Sequence, residues 1–311
     1  MLTPKLAGGV GSLEDYMRIG YACVAVDVPN TGMKSCIMKN ANESRLMELI
    51  SHNLSSLDHI LDYNIKNNIR LFRISSGLIP FGSSPVNSIP WWDIYQTKLL
   101  ELGQKIINNK IRVSMHPGQY TIINSPKEEV VIRAMDDLSY HAKVLDSLGV
   151  GTEHKIILHI GGVYNDKKAA MLRFITNFNY LADSIRDRIV LENDDKLFHI
   201  GDVLEIGACL ASPVVFDNLH NEINPADRHK NEVLLINECR KTWKEGDGLQ
   251  KIHYSQQASN KQPGSHSESI LVDKFLDFCK SLGREDIDIM LEVKDKNISA
   301  INCIRSLVPE R

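Results

Sequence analysis

Histidines and carboxylates stand at the ends of short, mostly apolar runs along this 311-residue chain. The run 111–115 ends in His116, 156–158 in His159, and 189–191 in Glu192. The run 214–216 ends in Asp217, with His220 three residues on; Lys251 and His253 flank Ile252; and 287–291 ends in Glu292. His266 lies in a Gly-, Pro- and Ser-rich stretch, 259–267, that could fold back over the same place. A mixed histidine and carboxylate set suits borderline-to-hard divalent ions such as manganese or zinc. The set exceeds the needs of one ion, so two or three are expected. Clustered ions suit phosphoester hydrolysis, where one activates the attacking water and others hold the phosphate and the leaving oxygen.

Taken singly, each residue has an ordinary use. A strand-end histidine is commonly just hydrogen-bonded, and Asp217 or Glu292 alone would serve as a helix cap or salt-bridge partner. The coincidence of ligand types at five separate strand ends is what points to a metal site. Lys251 does not fit as a free ammonium, which cannot coordinate a cation. Among ions it must be neutral, modified or turned away; otherwise it pairs with a neighbouring carboxylate. His52, His59, His141, His154, His199 and His229 fall on expected helices or their edges and receive no functional role.

The elements that must position these residues follow from the same runs. Strands are expected at 19–28, 69–74, 111–115, 155–160, 188–191, 213–216, 251–254 and 287–293. Most are continuously apolar rather than alternating, as parallel strands buried on both faces are. Helices are expected at 44–67, 92–108, 127–148, 167–186, 200–209, 231–243, 269–282 and 298–307. The first carries Leu46, Leu49, Ile50, Leu54, Leu57, Ile60 and Leu61 on one face. Strand and helix pairs in this number and order predict a (β/α)8 TIM barrel, whose active site lies at the C-terminal ends of its strands. An open doubly wound sheet is the alternative, but residues 29–32 (Pro-Asn-Thr-Gly) are not the Gly-rich turn it usually carries after its first strand.

Composition sets outer bounds. Apolar content of 43% and charged content of 24% are ordinary for a globular chain, and a net charge of −3 excludes a cationic nucleic-acid coat. It does not exclude DNA as a substrate, because bound cations and a local basic rim could attract phosphate. The six cysteines form no CxxC pair and read as reduced, in keeping with a cytoplasmic protein. No run is long enough to span a bilayer. Residues 1–16 are expected to be a flexible lead-in, and 17–311 a single domain.

His116 opens the run His-Pro-Gly-Gln-Tyr. Pro117 and Gly118 predict a tight turn that exposes Gln119 and Tyr120 side by side above the site. An aromatic ring can replace base stacking and an amide can replace base hydrogen bonds, which suits entry into a duplex. Trp91 and Trp92 read as core and helix start rather than as a DNA wedge.

Several linked motifs resemble the UV damage endonuclease family. They are Phe72-Arg73-Ile74-Ser75-Ser76 with Ile79-Pro80, Ser114-Met115-His116-Pro117-Gly118-Gln119-Tyr120, Leu191-Glu192-Asn193-Asp194-Asp195 and Phe216-Asp217-Asn218-Leu219-His220. The resemblance implies a TIM barrel related to endonuclease IV that nicks double-stranded DNA 5′ to cyclobutane dimers and 6-4 products with up to three divalent ions, usually manganese. It implies metal ligands at His116, His159, Glu192, Asp217, His220, Lys251, His253, His266 and Glu292, with Lys251 able to be carboxylated. Glu192, Lys251 and His253 are then expected at the centre of catalysis, and Tyr21, Gln119 and Tyr120 at the lesion. Two positions depart from similar proteins: Ala25 stands where an asparagine is common, and Ser84 where a histidine ligand is common. The reading needs no organic cofactor and no membrane, and a monomer suits a bulky substrate. The rival readings are an abasic-site endonuclease, a metal-dependent sugar isomerase or epimerase, and a damage-binding module with a degenerate site.

Overall fold

Eight parallel strands close into a barrel in chain order: β1 (Met17–Ala22), β2 (Leu71–Ile74), β3 (Arg112–Met115), β4 (Ile156–His159), β5 (Ile189–Glu192), β6 (Val214–Asp217), β7 (Lys251–Tyr254) and β8 (Ile287–Leu291). The β1–β8 pairing shuts it, with Met17 opposite Ile287 and Tyr21 opposite Leu291. This computed structural model describes residues 17–283 and 286–307. The expected lead-in at 1–16 lies outside the described residues. All eight expected strands form, and the fold is the predicted TIM barrel. The first is shorter than its apolar run because Cys23 takes φ 74° and turns the chain out of the sheet.

The helices cover the barrel. They are α1 (Glu43–Lys66), α2 (Trp91–Ile94), α3 (Gln96–Asn108), α4 (Glu128–Ser147), α5 (Lys167–Phe178), α6 (Asp183–Arg186), α7 (Ile200–Leu210), α8 (Asn218–Ile223), α9 (Glu232–Arg240), α10 (Val272–Leu282) and α11 (Asn297–Leu307). Asn42 caps α1 by accepting from the Arg45 amide, and the apolar stripe of α1 is buried as its spacing requires. Two expected long helices are each broken into two. The 92–108 segment breaks at Tyr95, and 167–186 breaks between Phe178 and Asp183. The short α8 follows β6 with no intervening loop, because Asp217 itself caps it. Trp91 is buried and meets Trp92 edge-on, as expected of a helix start rather than a wedge.

Alternate residues on each strand face the barrel interior and stack in layers. The floor, at the N-terminal end, is ionic. Asp288 is fully buried between Arg18 (2.6 Å) and Arg112 (2.6 Å). Between floor and upper layer the interior is mostly apolar: Leu71 packs with Met290 on one side, and Ile157, Val190 and Val215 pack together on the other, with Ser114 and Lys251 as buried polar members. The upper layer is polar, and strands β2 to β8 each supply one residue to it or to the position just beyond. These are Arg73, His116, His159, Glu192, Asp217, His253 and Glu292. At this level β1 offers only Ala22.

Candidate metal centre

Two sets of ligand atoms lie at the C-terminal end of the barrel, each with all members within 4.8 Å of one another. One is His116, His159 and Glu192; the other is Glu192, Asp217, His253 and Glu292. Glu192 belongs to both. Its Oε2 lies 3.0 Å from His116 Nε2 and 3.3 Å from His159 Nε2, and its Oε1 bonds His253 Nδ1.

The local structure aims these atoms inward. The His116 Nδ1–H donates to the Pro117 carbonyl at 3.0 Å, leaving Nε2 to face Glu192. His220 Nδ1–H donates to the Asn193 carbonyl at 2.9 Å, which leaves its Nε2 free to ligate. Asn193 also pairs with the Asp217 backbone on both sides, at 2.9 and 3.1 Å. Asp217 turns out to be both cap and candidate ligand. Its Oδ1 accepts from the His220 amide at 2.7 Å, while its Oδ2 is buried without a partner. An orphaned carboxylate oxygen facing a histidine and carboxylate cluster fits a divalent ion, because an unpartnered buried charge otherwise costs several kcal/mol.

Arg73 is the residue that ligand spacing missed. It is β2's contribution to the upper layer, and its Nη2 lies 2.5 Å from Glu292 Oε1 and 3.0 Å from His253 Nε2. An arginine inside an otherwise apolar strand was the available signal. Burial alone would raise the Glu292 carboxyl, but Arg73 and then His253 outweigh it and hold it well below the ordinary range. Glu192 is likewise pulled well down, His253 and His159 overcoming its burial.

Asp217 goes the other way. Burial, reinforced by Glu192 and Glu292, pushes it up to about 7 although His220 draws it down. For His220, burial is outweighed by Asp217 and Glu192, and it rises to about 9. Both groups must lose protons to ligate, so ion uptake should release protons near neutral pH. Manganese affinity measured by titration calorimetry should therefore fall by about tenfold or more per pH unit below pH 7. Equal affinity at pH 6 and pH 8 would remove Asp217 and His220 from the ligand set.

The remaining expected site residues divide. His266 approaches from the loop after β7, its Nε2 3.8 Å from Glu292 Oε2. Lys251 stands one pleat below His253, facing the same interior; it is fully buried and its Nζ has no partner. Burial, with Arg112 nearby, depresses it well below the usual lysine range, which disfavours the ammonium form. Gln119 and Tyr120 are exposed on the turn after β3, Tyr120 to 75%. Tyr21 is a correction. It is fully buried on the outer face of β1, against Phe72, with its hydroxyl bonded to Asn64 of α1 at 2.8 Å, and it cannot reach a lesion. Ala25 packs into the core, and the Ser84 hydroxyl accepts from the Val86 amide in a local turn.

His141, assigned no role from sequence, supports the site from α4. It is buried and bonds the Ser76 hydroxyl at 2.9 Å, and Ser76 donates to the His116 carbonyl at 2.7 Å.

Comparison with known proteins adds independent findings. The sequence model of the family described as UV-endonuclease UvdE matches residues 17–309. The chain is 48% identical over 292 residues to the UV DNA damage endonuclease of Clostridium perfringens (strain 13 / Type A), covering 94% of this chain and 71% of that one. It is 32% identical over 274 residues to the UV DNA damage endonuclease of Bacillus cereus (strain Q1), covering 87% and 86%. The crystal structure of SacUVDE superposes with a TM-score of 0.89 at 39% identity, over 94% of this chain and 98% of that one. Endonuclease IV from Thermus thermophilus superposes at 0.56 with 10% identity, over 93% and 98%, which is a likeness of fold alone.

Proposed function

We propose, from the premise that this chain belongs to the UV-endonuclease UvdE family and is a UV-damage DNA repair endonuclease, that it cuts 5′ to cyclobutane dimers and 6-4 products with two or three divalent ions, manganese foremost. The observation that carries this reading is the sharing of Glu192 by both sets of ligand atoms, at a mouth whose rim carries Gln119 and Tyr120.

In this reading, His116 and His159 hold one side of the cluster, and Asp217, His220, His253, His266 and Glu292 the other, with Glu192 between. Bound there, divalent ions would activate the attacking water and take up charge on the phosphate and the departing oxygen. Arg73 fixes Glu292 and His253 and adds a permanent positive charge beside the phosphate. Lys251, whose ammonium form is disfavoured by burial, could add carbon dioxide to form a carbamate with loss of a proton, and that group would supply an anionic oxygen ligand. Gln119 and Tyr120 fill the gap left when the damaged dinucleotide swings out, and the weaker stacking of the lesion lowers the cost of that step. The protein would work as a monomer in the cytoplasm, on one domain spanning 17–311 and without an organic cofactor. No described helix is long and apolar enough to cross a membrane.

The test is a nicking assay on photodimer, abasic and undamaged duplexes, with manganese supplied or chelated. We expect a nick 5′ to the photodimer that chelation abolishes. Cutting of the abasic duplex alone would favour the endonuclease IV activity instead, and cutting that survives chelation would refute the metal mechanism.

A further inference from the structure

Two neighbouring loops of the barrel mouth are built alike. After β3, His116 is followed by Gly118 and Tyr120; after β4, His159 is followed by Gly162 and Tyr164. In both, the tyrosine ring lies over the glycine two residues before it. A Cβ on Gly118 would come within 2.6 Å of the Tyr120 ring, and one on Gly162 within 2.8 Å of the Tyr164 ring. A Cβ at either place would push the ring out of this position. Both rings are exposed, Tyr120 to 75% and Tyr164 to 41%.

The two loops are also tied together. Asn124, in the β3 loop, donates to the Gly162 carbonyl at 2.8 Å and accepts from the Gly162 amide at 3.2 Å. Arg173 of α5 donates to the Asn124 carbonyl at 2.9 Å, and its guanidinium lies 5.5 Å from the centre of the Tyr164 ring. Tyr164 and Asn165 both take left-handed backbone, φ 49° and 64°. That conformation is uncommon for a bulky residue and persists where the surroundings enforce it. The ring is thus held on one side by Gly162 and Arg173 and left open on the other.

We propose that Tyr164 is a second DNA-contacting aromatic of this site, one that stacks on a base or deoxyribose of the duplex beside the lesion. The proposal rests on the reading of this mouth as the DNA-binding face and extends it to a loop that the motifs left unassigned. A stacked aromatic contributes to binding through its π-face rather than through sequence-specific bonds, so the contact suits a substrate recognised by damage and not by sequence. Tyr164 is not one of the candidate ligands, so its effect should appear in binding rather than in the chemical step.

The experiment compares Tyr164→Ala, Tyr164→Phe and Gly162→Ala with the wild type on a fluorescently labelled, dimer-containing duplex. Binding is read by anisotropy with metal chelated, and incision by steady-state kinetics with manganese. Tyr180→Ala serves as the control, because Tyr180 is as exposed as Tyr120 but follows α5, on the opposite end of the barrel. Tyr164→Ala should raise Kd and KM about tenfold, with the loss falling on KM rather than kcat, while Tyr180→Ala changes neither. Tyr164→Phe keeps the ring and should rescue most of the loss. Gly162→Ala, which displaces the ring without removing it, should share it. Unchanged Kd and KM in Tyr164→Ala would overturn the proposal, as would a Tyr164→Phe as weak as the alanine variant. Failure of the wild type to cut dimer-containing DNA would instead sink the functional reading beneath it.

Discussion

Glu192→Gln should reduce incision of photodimer-containing DNA by about 10³-fold or more while leaving the circular dichroism spectrum of the protein unchanged. Gln has nearly the same volume and keeps one carbonyl oxygen, so the packing around β5 is preserved. It replaces the other oxygen with an amide N–H₂, which donates and cannot ligate. Glu192 uses both oxygens, one toward His116 and His159 and the other toward His253. Whichever oxygen is lost, one of the two ligand sets is broken. Metal analysis should accordingly find at least one fewer ion per chain than in the wild type. A variant that retained its ions and most of its activity would show that Glu192 is only a hydrogen-bond acceptor for three histidines. Its burial makes that outcome costly, because an ionised carboxylate at 1% exposure needs compensating charge.

The double replacement of Gln119 and Tyr120 by Ala should lower incision of dimer-containing duplex by about a hundredfold, without changing metal content. Both side chains stand in solvent on a turn anchored from below. Thr121 donates to Asp137 at 2.6 Å, and its amide bonds the Gly118 carbonyl at 2.9 Å. Nothing in the barrel depends on the two exposed side chains for packing, so a large loss would locate their work on the substrate. Stacking of one base on an aromatic ring is worth about 1–3 kcal/mol, and the amide adds hydrogen bonds to the bases left behind. Full activity in the double variant would end the probe role and leave lesion recognition to some other part of the mouth.

Much of this site was legible because parallel strands advertise themselves. A run such as 189–191 (Ile-Val-Leu) is apolar on both faces, and the first polar residue after it marks the barrel mouth. His116, His159, Glu192, Asp217, His253 and Glu292 could therefore be found without a structure. Tyr21 could not be placed the same way, because its role depends on parity. Arg18, Gly20 and Ala22 face the barrel axis, so Tyr21 faces α1, and only the register of Tyr21 with Phe72 and Leu291 fixes this. Arg73 was missed for a chemical reason. A search for groups that bind cations passes over a cation, although Arg73 touches two of the candidate ligands. The breaks at Tyr95 and 179–182 fall inside segments whose apolar spacing continues across them, so helical periodicity does not record them.

The upper layer takes its members one by one from successive strands, and Glu292, just past β8, is the last to arrive. A chain that has formed strands only as far as β7 has Glu192, Asp217 and His253 but lacks the final carboxylate and the seam with β1 that holds it. The proposed ligand set is therefore complete only when the whole barrel has shut. For an enzyme that breaks DNA, this would amount to a safety catch written into strand order: a copy truncated before β8 would lack Glu292 and, on the proposed ligand set, should not cut.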